Sequence, residues 1–276
     1  KGGNILEPGM GTGLFAVASP SEVMEKSKYT GVEMDKATAR IARHLLPESN
    51  ILNADFVKQK FPDNFFDLAI GNPPFSSTKI LDDPAYKKYR FLLHDYFFAK
   101  SLDKVRPGGL LVFVTSKGTM DKADDKARAY MAERADLLGA IRLPQTAFKQ
   151  NAGTEVVTDV LFLRKRQPGE VPGGESWQGR AEVQTPEGPA LVNEYFARHP
   201  DMVLGEHSLK GSMYRSDEYT VLPHGTDIDA QFAEAVTHLP ENVYSPDISS
   251  SADSMRQQVM ERDFNPRHTK EGALYV

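Results

Sequence analysis

The chain has 276 residues, 40% of them hydrophobic and 26% charged, which is enough for one large core or two modest ones and excludes disorder throughout. No stretch approaches the roughly 18 apolar residues of a membrane span, and the absence of cysteine excludes disulfides, thiolate metal sites and a cysteine nucleophile. The net charge is −5, but residues 1–166 carry 25 Lys and Arg against 20 Asp and Glu, whereas residues 167–276 carry 8 against 18.

Residues 1–166 alternate short β-like runs with helical patterns, which is typical of a largely parallel sheet joined by helical crossovers. The predicted strands are residues 4–6, 29–33, 50–53, 66–70, 110–115, 140–143 and 156–163. The predicted helices are one from residue 14 onward, 36–46 with Ala37, Ile41 and Leu45 on one face, 86–105 and 121–135. The last two strands have no room for a helical crossover between them, so we expect them to pair antiparallel.

The character of the sequence changes after Arg166. Residues 167–174 form a turn-rich linker, and beyond it only residues 191–198 and 227–238 have a helical pattern. From residue 246 to the end we expect little compact structure. We therefore predict two parts, an α/β domain over 1–166 and an acidic linker or extension over 167–276.

A glycine-rich turn lies between the first strand and the first helix. Its sequence, Glu-Pro-Gly-Met-Gly-Thr-Gly at 7–13, allows backbone N–H groups to approach a ligand closely. Glu33 follows Gly13 by 20 residues, at the end of the second strand, where its carboxylate could accept from two ribose hydroxyls. Both features fit a dinucleotide-binding dehydrogenase equally well, and the turn alone could be purely structural.

The tetrapeptide Asn-Pro-Pro-Phe at 72–75 follows the fourth strand and cannot be helical, because each proline removes a hydrogen-bond donor. In an open α/β sheet ligands gather at the carboxyl ends of the strands, so this loop should share a crevice with the glycine turn. The alternative is a turn that is merely stiffened by proline. Together with the turn at 7–13 and Glu33, the tetrapeptide favours a binding site.

These segments, in this order, resemble the class I S-adenosylmethionine-dependent methyltransferases, and among them the enzymes that methylate adenine N6 in DNA. The resemblance covers residues 4–166 and implies a Rossmann-like, mostly parallel sheet with an antiparallel closing hairpin. Residues 141–148, Gly153-Thr154 and 160–163 resemble that hairpin in modification subunits of type I restriction systems. The implied cofactor is S-adenosyl-L-methionine, and the implied partner is DNA. The residues that the resemblance assigns to the cofactor are Glu7, Pro8, Gly9, Gly11, Thr12, Gly13, Glu33, Met34, Asp55, Phe56 and Asn72.

The same resemblance assigns catalysis to Asn72, Pro73, Pro74 and Phe75. Two acceptors, the side-chain oxygen of Asn72 and the carbonyl of Pro73, would localise the lone pair of the adenine amino group for direct attack. The target base must leave the duplex, and Phe75 would stack on one of its faces. Phe148 is the candidate for the opposite face, with an ordinary core role as the equal alternative. The lack of cysteine removes methylation of cytosine carbon 5.

Several alternatives stay open. Enzymes acting on guanine N2 in RNA or on a protein glutamine also use such a loop, and a non-catalytic DNA-positioning module would retain the fold. Cytosine N4 enzymes usually have serine where this chain has Asn72. The chain starts at the cofactor strand and lacks an obvious region for reading DNA sequence, so we expect a fragment of a longer protein. Residues 193–196 and 213–215 loosely resemble the segment that joins the methyltransferase and helicase parts of large phage or plasmid proteins.

A helicase or specificity region is accordingly the expected further partner. The seven histidines include no i, i+4 pair, and we predict no metal site, no membrane association and a cytoplasmic location. The carboxylates Asp121, Asp124 and Asp125 are expected only to favour a helix dipole. Residues 87–90, Lys-Lys-Tyr-Arg, are expected to begin a helix. Their charges would either contact phosphate or form a solvated charged face.

Overall fold

A computed structural model of the chain describes residues 2–149, 155–211, 218–225 and 227–244. Seven strands form one sheet in the order β3-β2-β1-β4-β5-β7-β6. They are β1 Asn4–Pro8, β2 Lys28–Glu33, β3 Asn50–Asn53, β4 Phe66–Gly71, β5 Val105–Ser116, β6 Ala135–Leu143 and β7 Thr158–Lys165. The strands β1 to β5 pair parallel, and β7 runs antiparallel between β5 and β6. The predicted α/β class and the antiparallel closing hairpin are confirmed.

Eight helices lie in the described part of the chain outside the short 3-10 turns. They are α1 Leu14–Ala18, α2 Ser21–Glu25, α3 Lys36–Leu45, α4 Leu93–Lys104, α5 Gly118–Asp121, α6 Lys126–Ala132, α7 Glu194–Arg198 and α8 Ile228–Thr237. None of the helices in these ranges is long and apolar enough to cross a membrane.

The helix α3 begins after Asp35, whose side chain accepts from the Thr38 N–H at 2.7 Å and so caps the helix. The helix buries Ala39 and Ala42, whereas Ile41 is 49% exposed. The face that carries Ile41 therefore points away from the sheet. The small side chains of Ala39 and Ala42 allow the helix to lie close to the sheet.

The helix predicted over 86–105 was wrong at its start, since α4 begins only at Leu93, and was confirmed at its end within one residue. Residues 87–89 form only a 3-10 turn, which ends where Arg90 adopts a left-handed φ of 54°. The next residues run extended beside the preceding loop, since the Ile80 N–H donates to the Phe91 carbonyl at 2.9 Å. At the other end, β5 begins at Val105 and includes the predicted helix breaker at 107–109, where Gly108 takes a φ of 74°.

The helix predicted over 121–135 is two short helices, because the backbone at Lys122 is extended. Asp121 ends α5 instead of starting a helix, and its carboxylate lies 2.9 Å from the fully buried guanidinium of Arg142. The dipole interpretation of Asp121 was therefore wrong. Arg142 also contacts Asp159 on β7 at 2.7 Å, so an ion-pair network fixes α5 to the closing hairpin.

Described residues after Arg166 share a core with the sheet. They form two hairpins, β8 Arg180–Thr185 with β9 Gly188–Asn193 and β10 Glu206–Gly211 with β11 Glu218–Leu222. Trp177, Phe196 and Val221 belong to the same apolar core as the sheet.

The helix predicted over 191–198 begins only at Glu194, because Asn193 closes a strand and caps the helix through its side chain. The same side chain donates to the Met120 carbonyl at 2.9 Å and thereby fixes the extension to α5. The helix predicted over 227–238 is confirmed as α8. Residues 213–215 and 246–276 lie outside the described residues.

Three distant segments meet at Asp67, at the start of β4. Its carboxylate accepts from the Asn4 N–H at 2.8 Å, from Arg106 at 2.6 Å and from the Tyr244 hydroxyl at 3.2 Å. The Arg106 guanidinium also lies 5.2 Å from the centre of the Tyr244 ring. The extension therefore reaches the amino edge of the sheet, opposite the carboxyl edge where ligands gather.

Candidate active site

The site lies where the strand order reverses, between β1 and β4, which is where open α/β sheets form a crevice at their carboxyl ends. A Cβ built on Gly71 would lie 3.5 Å from Cγ of Glu7. A Cβ built on Gly9 would lie 3.3 Å from Cδ of Pro74. The glycine turn and the Asn-Pro-Pro-Phe loop, about 60 residues apart in sequence, thus lie so close that a side chain at Gly9 would touch Pro74.

The glycine turn needs its glycines because three of them have positive φ, 67° at Gly9, 57° at Gly11 and 86° at Gly13. The N–H groups of Gly9 and Met10 both donate to the Val32 carbonyl, at 2.8 and 3.0 Å, which fixes the turn against β2. A Cβ on Gly11 would find no atom within 4 Å, so the turn borders open space at this point. Thr12 beside it is exposed.

Glu33 ends β2 beside this turn, and both of its oxygens accept from the backbone. The donors are the N–H groups of Gly11 at 3.0 Å and Asp35 at 2.7 Å. Each carboxylate oxygen has a further lone pair, and the side chain is half-buried, so it can still accept from ligand hydroxyls. The Asn53 side chain donates to the carbonyls of Glu33 and Met34 and ties the ends of β2 and β3 together.

The next segment along the edge holds Asp55 and Phe56. Asp55 is half-buried and accepts from the Val57 N–H at 2.9 Å. Phe56 is only 3% exposed, and its ring lies 4.8 Å from that of Phe97 in an aromatic core, so it offers a ligand little free surface. Met34, 71% exposed, is the apolar side chain at this edge that is open.

Three of the four residues of the Asn-Pro-Pro-Phe loop are exposed. They are Asn72, Pro74 and Phe75, which is 39% exposed, whereas Pro73 is buried. The chain then returns to α4, since the Leu93 N–H donates to the Thr78 carbonyl at 2.9 Å. An anchored loop therefore presents an amide and an aromatic ring at the crevice.

Phe148 lies in the turn that follows β6 and is half-buried against the core. The strands β5 and β6 are both antiparallel to β7, so the turn after β6 is on the carboxyl edge with the other loops. Its role in stacking stays a prediction. Gly153-Thr154, the hairpin segment that follows, lies outside the described residues.

Electrostatics single out Glu7, which is 1% exposed at the end of β1. Burial raises the pKa of its carboxyl from 4.5 to about 7, and the hydrogen bond from the Tyr29 hydroxyl at 2.5 Å opposes part of that rise. Glu7 is therefore the acidic group of the crevice that titrates near neutral pH.

Sequence reasoning missed a buried lysine that joins the two halves of the site. Lys100, 4% exposed on α4, donates to the carbonyls of Phe56 at 2.8 Å and Val57 at 2.9 Å, and lies 3.3 Å from Asp83. The Tyr96 hydroxyl donates to Asp83 at 2.7 Å. The network links the segment at 55–57 to the chain that follows the Asn-Pro-Pro-Phe loop. A single lysine in the apolar run Tyr-Phe-Phe-Ala-Lys-Ser-Leu at 96–102 was the available signal.

Comparison with known proteins agrees with this geometry. Residues 21–148 match the profile of the family described as Eco57I restriction-modification methylase. This segment is similar to the restriction-modification methylases of that family. It includes Glu33, Asp55 and the loop at 72–75, and it ends at Phe148.

Two curated relatives match a longer part of the chain than residues 21–148. The chain is 32% identical over 169 residues to the defense against restriction protein B of Escherichia phage P1, covering 59% of this chain and 7% of that protein. It is 28% identical over 210 residues to the type II methyltransferase M.CvrRI of Paramecium bursaria Chlorella virus XZ-6E, covering 75% of this chain and 52% of that enzyme. The chain thus spans only about half, or far less, of the length of these relatives.

The fold is likewise shared with a solved structure. A protein of Listeria monocytogenes, described as a class I S-adenosylmethionine-dependent methyltransferase, superposes with a TM-score of 0.53 at 24% identity. The match covers 63% of this chain and 57% of the other. The Rossmann-like methyltransferase fold expected from the sequence is confirmed.

Proposed function

We propose that this chain transfers a methyl group from S-adenosyl-L-methionine to the N6 amino group of adenine in DNA. The observation that carries the proposal is the close approach of the glycine turn to the Asn-Pro-Pro-Phe loop, where a Cβ built on Gly9 would lie 3.3 Å from Pro74. This closeness supports a single crevice that holds a cofactor-type turn and an amide oxygen acceptor. The methylase domain match supports the reaction class, and the exposed Asn72 supports an amino group as the acceptor.

The residues present fit the cofactor. Open space borders the turn at Gly11, and Glu33 retains lone pairs for two ribose hydroxyls beside it. Asp55 would accept from the adenine amino group of the cofactor, and the exposed Met34 could cover its ring. When bound, S-adenosyl-L-methionine supplies an activated methyl group on a sulfonium.

Asn72 and Pro73 would prepare the target amino group. The side-chain oxygen of Asn72 and the carbonyl of Pro73 would each accept one of its two hydrogens and thereby localise the nitrogen lone pair. The nitrogen would gain one bond to the methyl carbon, whose bond to the sulfonium sulfur would break and leave a neutral thioether. The nitrogen would lose one proton to water, so no covalent enzyme intermediate is needed. The 39% exposed ring of Phe75 would stack on the flipped base, with Phe148 opposite.

The length that the chain shares with its relatives also bears on partners. Because the chain covers 52% of the viral methyltransferase and 7% of the phage protein, we propose that a further region, such as a specificity or helicase region, assists DNA recognition.

The experiment measures transfer of tritiated methyl from S-adenosyl-L-methionine to unmethylated genomic DNA, followed by base analysis. Label in N6-methyladenine is expected. Asn72→Ala should lower turnover by at least about 10²- to 10³-fold, because one of two acceptors is lost. Its affinity for S-adenosyl-L-methionine by calorimetry should stay near that of the unmodified chain.

The matched control is Ser77→Ala, an exposed position in the same loop, which should retain turnover. Full activity of Asn72→Ala would falsify the catalytic assignment. Label in cytosine, in RNA or in a protein glutamine would replace the proposed substrate by one of the alternatives.

A further inference from the structure

The chain between the catalytic loop and α4 is unusually long for a connection without regular strands or helices. It covers residues 76–92 and contains only the 3-10 turn at Lys87–Tyr89. Loops of this length in a compact domain are usually functional or disordered. This segment is fixed in place, so a functional explanation is needed.

The inner face of the segment is anchored along its length. Asp83 is held by Lys100 and Tyr96, and the Tyr86 hydroxyl donates to Asp103 on α4 at 2.7 Å. The Tyr89 ring stacks on that of Phe91, with centroids 5.0 Å apart and planes 3° from parallel. The segment is therefore a fixed platform whose buried side is fully engaged.

The platform also carries four exposed cations, Lys79, Lys87, Lys88 and Arg90, which we call the cationic strip. Within the described ranges no carboxylate forms an ion pair with any of them. Asp83 is engaged below, so Asp82 is the exposed carboxylate of the segment. A chain of net charge −5 thus keeps a local excess of positive charge next to its catalytic loop.

We propose that the cationic strip holds the phosphate backbone of duplex DNA beside the Asn-Pro-Pro-Phe loop. The inference rests on the proposed function and adds the surface that receives the substrate. Phosphate contacts from Lys and Arg release counterions, and they position DNA without reading its sequence. Cations on a fixed platform lose less conformational freedom on binding than cations on a mobile loop. A backbone contact here would hold the duplex while one base enters the crevice.

The test measures DNA binding by the full chain as a function of salt. A fluorescent 30-base-pair duplex is titrated by anisotropy from about 50 to 200 mM NaCl, with Lys87→Gln/Lys88→Gln and Lys79→Gln/Arg90→Gln as the variants. Each double variant should reduce the slope of log affinity against log salt by about 2, and its affinity at 100 mM NaCl should fall about 10-fold or more. Affinity for S-adenosyl-L-methionine should not change, since these side chains lie outside the cofactor turn.

The control is Lys28→Gln/Arg40→Gln, two exposed cations on β2 and α3, which should leave the slope unchanged. Urea unfolding of each variant shows that it is folded. Unaltered slopes in both strip variants, while the unmodified chain binds duplex DNA, would overturn the strip and leave the proposed function standing. Failure of the unmodified chain to bind or methylate DNA would instead refute the proposed function. The strip proposal would also be overturned if the strip variants lost binding to an RNA of equal charge but still bound the DNA duplex as the unmodified chain does.

Discussion

Replacement of Glu7 by glutamine should change how the stability of the protein depends on pH. Glu7 is 1% exposed, and burial raises its pKa to about 7. Between pH 4.5 and 7 the unfolded chain therefore loses the Glu7 proton while the folded chain keeps it. Unfolding releases that proton in this window, so the Glu7 contribution to stability is full below pH 4.5 and is lost as pH rises to 7.

The size of the effect follows from the shift. The pKa rises from 4.5 to about 7. At 1.36 kcal/mol per pH unit, this rise corresponds to a loss of about 3 kcal/mol across the window. Glutamine has nearly the same shape, cannot ionise and can still hydrogen-bond with the Tyr29 hydroxyl. The Glu7→Gln variant should therefore gain about 3 kcal/mol relative to the unmodified chain between pH 4.5 and pH 8.

The assay is urea unfolding of both proteins at about six pH values across this range. The difference in free energy of unfolding between the two proteins is plotted against pH, so the contributions of all other titrating groups cancel. A difference that stays constant from pH 4.5 to 8 would refute the reasoning, because it would mean that Glu7 has the same pKa in both states. Tyr29→Phe, which removes the hydroxyl donor, should raise the pKa of Glu7 further, so that the loss extends to higher pH and becomes larger.

Three further predictions concern other parts of the site and fold. Glu33→Ala should weaken S-adenosyl-L-methionine binding about 10-fold or more, as two ribose hydroxyls lose their acceptor, and calorimetry with unaltered affinity would remove Glu33 from the site. Lys100→Met should lower the free energy of unfolding by about 2 to 3 kcal/mol and also weaken cofactor binding, because the carbonyls at 56–57 lose their donor; an unchanged urea midpoint would contradict this. Asp159→Asn should cost about 3 kcal/mol, because it leaves Arg142 buried with Asp121 alone, and urea unfolding of the variant measures it directly.

The sheet and the two loops of the site could be predicted because local sequence determines them. Buried parallel strands are short apolar runs bounded by glycine and proline, and the glycine turn requires positive φ at Gly9, Gly11 and Gly13. Once the strands are placed, the rule that ligands gather at carboxyl ends puts Asn72 next to the turn. The same reasoning could not supply substrate or role, which depend on atoms the chain itself does not contain.

The errors came from tertiary contacts that no short window contains. Residues 86–92 have a helical pattern, yet stacking of Tyr89 on Phe91 and the left-handed Arg90 hold them in another conformation. Asp121 resembled a helix-start carboxylate, but its charge balances the buried charge of Arg142 on β6. The stacking partner of Tyr89 lies two residues along the chain, and the ion-pair partner of Asp121 lies much farther along it.

The acidic segment after Arg166 gave the weakest sequence signal for the same reason. Its strand β8 alternates exposed and half-buried residues, and buried side chains such as Trp177 and Phe196 belong to the core of the sheet. A segment that completes an existing core does not need a strong periodicity of its own. The composition changes at Arg166, whereas described residues beyond it share a core with the sheet. The division into two parts stays a prediction.

The meeting of Asn4, Arg106 and Tyr244 at Asp67 has a consequence for the order of folding. The contact between Asn4 and Tyr244 through one carboxylate closes a loop of about 240 residues, which is among the most costly closures in chain entropy that the fold makes. Because this closure joins segments so far apart in the chain, we expect it to form among the later events of folding. By the same argument it should open early, and hydrogen exchange near Tyr244 should be faster than in the central strands.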